Sequence, residues 1–153
     1  MILVLVGTQK QDFSRLFKEI ENSSNLKDEK IIAQSGYTKY ESDKIEFIPF
    51  MKREELIELI KKSDFIICHG GVGTIFDSLY ENKKVLAVPR LKKYKEHVND
   101  HQIEVCSKLQ EEGYILYLAD GDNFDDKVNL LKNTSFKEYK NDNKFIEILR
   151  SEI

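Results

Sequence analysis

The run Cys68-His69-Gly70-Gly71-Val72-Gly73-Thr74 places a histidine, three glycines and a threonine between an apolar segment, Phe65-Ile66-Ile67, and a helical pattern from Ile75 to Tyr80. A strand that ends in glycines and feeds a helix leaves backbone N–H groups unpaired at the helix start. Those donors, with the positive end of the helix dipole, suit a phosphate or diphosphate. Glycines let a ligand approach the backbone, and the Thr74 hydroxyl adds a donor. The same spacing also makes ordinary tight turns, so both readings stand on this segment alone. His69 reads as a residue that lines the turn, with proton transfer as its other role.

The second concentration of chemistry is Pro89-Arg90-Leu91-Lys92-Lys93-Tyr94-Lys95-Glu96-His97-Val98-Asn99-Asp100-His101-Gln102. Connections in compact α/β domains are usually shorter, and long ones tend to be functional. Its second half packs Glu96, His97, Asn99, Asp100, His101 and Gln102 into seven positions. Such side chains accept and donate hydrogen bonds together, as sugar hydroxyls require. A solvated loop is the plainer reading, and Asp100 also suits the N-cap of a following helix. His97 and His101 stand four apart beside Asp100, but no H-E-x-x-H pattern is present and His69 is distant, so no metal is expected. Arg90, Lys92, Lys93 and Lys95 form either a solvated basic loop or, beside an anion-binding turn, a contact for a diphosphate or an anionic membrane surface. There is no G-x-S-x-G, no Walker A lysine and no G-x-G-x-x-G after the first strand, which disfavours nucleophilic hydrolases, P-loops and dinucleotides.

These segments need elements to position them. Apolar runs at 2–6, 30–34, 45–50, 65–68, 85–88 and 115–119 read as strands. Helical stripes alternate with them: Phe13, Leu16, Phe17 and Ile20; Leu56, Ile57, Leu59 and Ile60 within 52–63; Ile103, Cys106 and Leu109, stopped near Gly113; Phe124, Val128 and Leu131; and finally Phe145, Ile148 and Leu149. The alternation predicts a single α/β domain over 1–153, Rossmann-like, with a parallel sheet of about six strands covered by helices on both faces. Ligands bind such sheets outside the carboxyl ends of the strands. Gly7-Thr8-Gln9, residues 69–74 and residues 89–102 should therefore meet in one crevice.

Composition narrows the class. With 24 basic against 27 acidic residues and a formal charge of -3, a general nucleic-acid-binding surface is not indicated. No apolar run approaches the roughly 20 residues of a membrane span. The opening Met1-Ile2-Leu3-Val4-Leu5-Val6 lacks the length and basic lead of a signal peptide. Cys68 and Cys106 lack metal or redox spacing and read as reduced, buried and structural. These features together predict a cytoplasmic protein.

Several motifs, in order along the chain, carry a family resemblance. They are Val6-Gly7-Thr8-Gln9, Phe47-Ile48-Pro49-Phe50-Met51, residues 64–74 with their His-Gly-Gly-x-Gly-Thr core, Val88-Pro89-Arg90, and Glu96-His97-x-x-Asp100-His101-Gln102. The chain resembles the C-terminal, donor-binding domain of GT-B glycosyltransferases, of the family 28 type. That type is shared by the peptidoglycan GlcNAc transferase and by the catalytic subunit of the split enzyme that adds the second GlcNAc to dolichol diphosphate. The Pro-Arg and Glu-His-x-x-Asp-His-Gln pair particularly resembles PssE-like subunits of bacterial capsule and exopolysaccharide synthesis.

The resemblance implies a UDP-sugar donor and no cofactor or metal. Uridine would lie near Phe50 and Met51, and the diphosphate at Gly70, Gly71, Gly73 and Thr74. Asp100, His101 and Gln102 would hold the sugar hydroxyls, with Glu96 and Asn99 as second contacts. Gly7, Thr8 and Gln9 would face the phosphates or the interdomain cleft, and His69 and Arg90 belong to the same substrate-binding set. The implied reaction is inverting transfer of a hexose to a lipid-diphosphate-linked saccharide. Galactose in β-1,4 linkage is the first choice of sugar, with GlcNAc and glucuronate next. Length for only one of the two Rossmann-like domains implies a membrane-anchored, acceptor-binding partner that recruits the chain to the inner face of the membrane. The general base is expected on that partner, with His69 and Glu96 as the candidates on this chain. The alternative is a non-catalytic UDP-sugar-binding regulatory subunit, or a UDP-GlcNAc transferase subunit. A homodimer through the exposed cleft face and docking through residues 144–149 are further expectations.

Overall fold

Continuous apolar strands are what a sheet buried on both faces requires, and the computed structural model, which describes residues 1–139, has that form. Six strands, β1 (Ile2–Leu5), β2 (Ile31–Gln34), β3 (Ile45–Ile48), β4 (Phe65–His69), β5 (Lys84–Val88) and β6 (Leu116–Tyr117), alternate with helices α1 (Ser14–Glu21), α2 (Arg53–Lys62), α3 (Val72–Tyr80), α4 (His101–Glu111) and α5 (Phe124–Asn133), except that β2 leads to β3 through a loop without a helix. The strand order is β3-β2-β1-β4-β5-β6, and every pairing is parallel. The order runs outward in both directions from β1 and β4, which makes the gap between their carboxyl ends the switch point where ligands bind such sheets. The stripe of Phe145, Ile148 and Leu149, and the docking segment 144–149, lie outside the described residues.

Strand side chains alternate between the faces, and β1 shows how the two cores divide. Ile2, Val4 and Val6 join Leu16, Phe17 and Ile20 of α1 and Phe124, Val128 and Leu131 of α5. Leu3 and Leu5 join Ile60 of α2, Ile75 and Leu79 of α3, and Val105, Cys106 and Leu109 of α4. Cys68 and Cys106 are both buried and free. Burial pushes the Cys106 thiol up to about 12, and Cys68 also well above its ordinary value, so both are protonated packing groups.

Three boundaries differ from the expectation. β3 stops at Ile48 because Pro49 has no N–H to offer a ladder, which leaves Phe50 and Met51 in the following loop. β6 pairs only through Leu116 and Tyr117 at the sheet edge. α3 begins at Val72 rather than Ile75, so Val72, Gly73 and Thr74 form its first turn. Gly113, at φ +86, ends α4 in the left-handed conformation expected of a glycine stop.

The carboxyl edge is tied together by a buried cation. Arg90 has no exposed surface. Its Nη1 donates to the carbonyls of Gln11 (2.8 Å) and Glu96 (3.1 Å), and its Nη2 donates to Val6 O (2.8 Å). The guanidinium lies 4.8 Å from the centroid of the Phe13 ring. One side chain thus joins the end of β1, the loop before α1 and the loop before α4. Arg90→Ala would strand those carbonyls and open a cavity, at a cost of about 3–5 kcal/mol. Urea unfolding checks this; a loss under about 1 kcal/mol would show that the edge is held by other means.

Candidate functional site

The turn after β4 is built to leave donors unspent. Gly71 is the N-cap of α3, in extended conformation and with no capping side chain. The first helical bond runs from Ile75 N–H to Gly71 O at 3.1 Å, so Val72, Gly73 and Thr74 present the orphan N–H groups of a helix start. The other described helices fill or screen theirs. Ser14 N–H donates to Asp12 Oδ2, His101 N–H to Asn99 Oδ1, and Asp126 N–H to Asn123 Oδ1, each within 3.0 Å. α2 carries Glu54 and Glu55 in its first turn, whereas α3 has no acidic residue there. Only α3, among the described helices, leaves its dipole for an outside anion.

The glycines beside this helix start are required by the packing of the protein itself. A Cβ on Gly71 would run into the His69 imidazole, and one on Gly7 would lie 2.6 Å from His69 Nε2. A Cβ on Gly70 would lie 2.8 Å from Gln102 Cβ and 2.9 Å from Cys106 Sγ. These three lack side chains so that the protein can pack on itself. Gly7 also needs its φ of +78. Gly73 alone among the turn's glycines faces open space, with nothing within 4 Å of a built Cβ. Its backbone is the open one of the turn.

The expected convergence of residues 7–9, 69–74 and 89–102 is present, centred on His69. Its ring, slotted against Gly7 and Gly71, approaches Gln102 Nε2 through Nδ1 and Thr74 Oγ1 through Nε2, both at 3.3 Å. Burial, reinforced by the charges of Arg90 and His97, lowers its pKa to about 3. A neutral imidazole of such low basicity is a poor general base, which weighs against the proton-transfer role expected of His69. Glu96 is also corrected as a base. It is buried, and its carboxylate is paired with Arg15 (Nε to Oε2 2.9 Å, Nη2 to Oε1 2.8 Å) while Leu91 N–H donates to Oε1 at 3.0 Å.

Two expected ligand contacts point inward instead. Arg90 is the buried tie described above. Gln102 spends its amide inside the protein, with Oε1 accepting from Gly70 N–H (3.0 Å) and Arg90 N–H (2.9 Å) and Nε2 facing His69. Asp100 occupies the N-cap position of α4 without a capping bond. Its Oδ1 accepts from Lys92 N–H at 2.9 Å, while Asn99 supplies the helix-start acceptor.

Thr8, Gln9, Phe50, Gly73, Asp100 and His101 remain exposed on the carboxyl edge, with Met51, Thr74 and Asn99 half-buried among them. Among the described residues, no group of three or more His, Cys, Asp or Glu could hold a metal. The sequence reading missed Tyr37, whose 52% exposed ring meets the 51% exposed Phe50 edge-on at 5.1 Å. It also missed Gln34, which exchanges hydrogen bonds with Gly7 N–H and O (3.2 Å each) and donates to Pro49 O (3.0 Å). A glutamine closing an otherwise apolar strand was the available signal.

The glycosyltransferase family 28 C-terminal domain matches residues 1–151. The chain belongs to that family. It is 32% identical over 65 residues to the human UDP-N-acetylglucosamine transferase subunit ALG13, covering 42% of this chain and 5% of that protein. The subunit of the same name from Candida albicans is 27% identical over 111 residues, covering 72% of this chain and 36% of that one. The chain thus spans about a third of the Candida relative and a small part of the human one. A solution structure of ALG13 superposes with a TM-score of 0.57 at 19% identity, over 97% of this chain and 93% of that one, and shares the fold. The bacterial exopolysaccharide type finds no support in these relatives, whereas the family 28 assignment stands.

In this family 28 domain the buried histidine has a measurable consequence. An unfolded histidine takes up its proton near pH 6.5, while folded His69 does so near 3. Between those values the unfolded chain binds the extra proton, so the contribution is complete above about pH 6.5 and is lost as pH falls toward 3. The loss at pH 5 is about 2 kcal/mol. Urea unfolding of wild type and His69→Gln at pH 7 and pH 5 tests this; the variant should lose less between the two, and an equal loss would remove His69 as the source.

Proposed function

We propose that this chain is the donor-binding subunit of an inverting, metal-independent glycosyltransferase that uses UDP-N-acetylglucosamine. The observation that carries the reading is the open start of α3 at the switch point of the sheet, with Gly73 exposed beside it. The diphosphate lies against the N–H groups of Val72, Gly73 and Thr74, which stabilise charge on the departing UDP. Asp100 and His101 face the sugar hydroxyls, and Phe50 and Met51 lie toward the uridine. Gly7, Thr8 and Gln9 border the phosphates.

The choice of sugar follows the relatives. Galactose stood first on the resemblance alone, but both relatives are named as UDP-N-acetylglucosamine transferase subunits. Galactose and glucuronate become comparison donors, and an exopolysaccharide or capsule acceptor has no separate support. With His69 neutral and Glu96 paired, the base that activates the acceptor hydroxyl comes from a partner chain. That partner is membrane-anchored and binds a lipid-diphosphate-linked saccharide, holding this chain at the cytoplasmic face of the membrane. Among the described residues no helix is long and apolar enough to cross a membrane.

Calorimetric titration of the full chain with UDP-N-acetylglucosamine, UDP-galactose and a GDP-sugar tests the donor. UDP-N-acetylglucosamine should bind tightest; equal affinity for all three would remove the uridine assignment. Gly73→Ala is the matching variant, since a substitution at Gly71 would strike the His69 ring whatever the ligand. Alanine in this helix should preserve or raise stability by up to about 1 kcal/mol. It should weaken UDP-sugar binding at least about tenfold by removing backbone contact and charge-assisted hydrogen bonding. Unchanged affinity in a folded variant would sink the phosphate assignment.

A further inference from the structure

The open helix start explains attraction for an anion, but Gln102, His69 and Thr74 form a hydrogen-bonded sequence that this attraction does not require. Its polarity can be read from atoms whose roles are fixed. Gln102 Oε1 receives two backbone N–H groups, from Gly70 at 3.0 Å and Arg90 at 2.9 Å. Neither donor can be reversed, so the carbonyl end of the amide must face them and the NH2 end must face His69. Gln102 Nε2 therefore donates to His69 Nδ1, 3.3 Å away.

A ring nitrogen that accepts carries no proton. The single proton of the neutral imidazole consequently sits on Nε2, which donates to Thr74 Oγ1 at 3.3 Å. The ring has little freedom to rearrange, because Gly7 and Gly71 pack against it and it is buried. Its low proton affinity keeps it in this single-proton form at neutral pH. Thr74 Oγ1 makes no other hydrogen bond among the described residues, so its own proton remains available. Thr74 lies in the first turn of α3 beside exposed Gly73.

We propose that Gln102–His69–Thr74 is a tautomer-fixing relay that makes the Thr74 hydroxyl an obligate donor to the diphosphate of the nucleotide. The inference rests on the donor-site reading above and adds to it a direction for each proton. A threonine hydroxyl has a single proton to give; one that accepts from the imidazole does not spend that proton on the ring and keeps it for the phosphate. Gln102 and His69 are positioning residues, and Thr74 touches the ligand.

Gln102→Glu is the decisive variant. Its carboxylate still accepts from Gly70 and Arg90 through one oxygen, while the other draws the imidazole proton to Nδ1. His69 Nε2 then becomes an acceptor, and the Thr74 hydroxyl turns to donate to it instead of to the phosphate. Nitrogen NMR of the histidines at pH 8 should report the Nε2–H tautomer in wild type and the Nδ1–H tautomer in Gln102→Glu. UDP binding by calorimetry should weaken about tenfold in Gln102→Glu and in Thr74→Val, the loss of one charge-assisted hydrogen bond. Thr74→Ser should bind as wild type, and adding Gln102→Glu to Thr74→Val should cost nothing more.

An Nδ1–H tautomer in wild type overturns the relay, as does normal UDP affinity in a Gln102→Glu protein whose tautomer has reversed. If Gln102→Glu fails to fold, the wild-type tautomer and the contrast between Thr74→Val and Thr74→Ser still decide the question. Wild type that shows the Nε2–H tautomer but binds no UDP or UDP-sugar overturns the donor-site reading and the relay's ligand with it. Wild type that binds UDP with the opposite tautomer overturns the relay alone.

Discussion

A single side-chain amide organises the carboxyl edge of the sheet. The β4–β5 ladder ends with His69 opposite Val88. Just beyond it, Gly70 and Arg90 have N–H groups with no strand left to pair with, and both donate to Gln102 Oε1. The amide is an extra rung supplied by a helix. Leaving two such donors buried and unmet would cost about 1–3 kcal/mol each. Gln102 therefore fixes where α4 starts, which sets the positions of Asn99, Asp100 and His101. The same amide then orients His69, and the ring defines what Gly7 and Gly71 can be. Gly70 completes the constraint, since any side chain there would collide with Gln102.

Around this rung the arginines are already spent, and one helix start is not. Arg90 is sunk beneath the edge and spends its guanidinium on three carbonyls, and Arg15 is neutralised by Glu96. α1 and α4 satisfy N–H groups at their starts with Asp12 and Asn99. The start of α3 is left, and its donors are backbone groups held by the fold. Such donors need no reorganisation when an anion arrives, unlike flexible surface lysines. The basic run Lys92, Lys93 and Lys95 has a different fate. Its exposed members lie on a short helical turn, with Lys93 paired to Asp120.

The architecture was legible because burial on both faces forces strands to be continuously apolar, and the helical patterns at 13–20, 56–60, 75–80 and 103–109 fall between them clearly enough to imply the parallel sheet. The location of the site followed from topology. The internal roles were not legible. A glycine shows where a Cβ is missing, but not whether a ligand or a neighbouring side chain fills the space; at Gly7, Gly70 and Gly71 it is a side chain. Arg90, Glu96 and Gln102 are types that normally face solvent, so sequence assigned them to the ligand when they are satisfied inward. Gly73, a weak helix former, concealed the first turn of α3. Tyr37 stood outside every motif and became visible only when the fold set its ring against Phe50.

The absence of an available base on His69 and Glu96 also agrees with the geometry of the proposed reaction. In a single displacement with inversion, the acceptor hydroxyl attacks the face of the sugar opposite the leaving diphosphate. A group that activates this hydroxyl must therefore stand across the anomeric carbon from the start of α3. His69 is packed against Gly7 and Gly71 at the start of α3, and Glu96 is held by Arg15 and by Leu91 N–H in the loop before α4. A neutral His69 ring can accept from Gln102 at one nitrogen and donate a hydrogen bond to Thr74 from the other, whereas a ring that took up a second proton could no longer accept from Gln102. On the proposed reading, the donor half binds the nucleotide and stabilises its departure, and a partner surface facing the open edge is the place from which deprotonation comes.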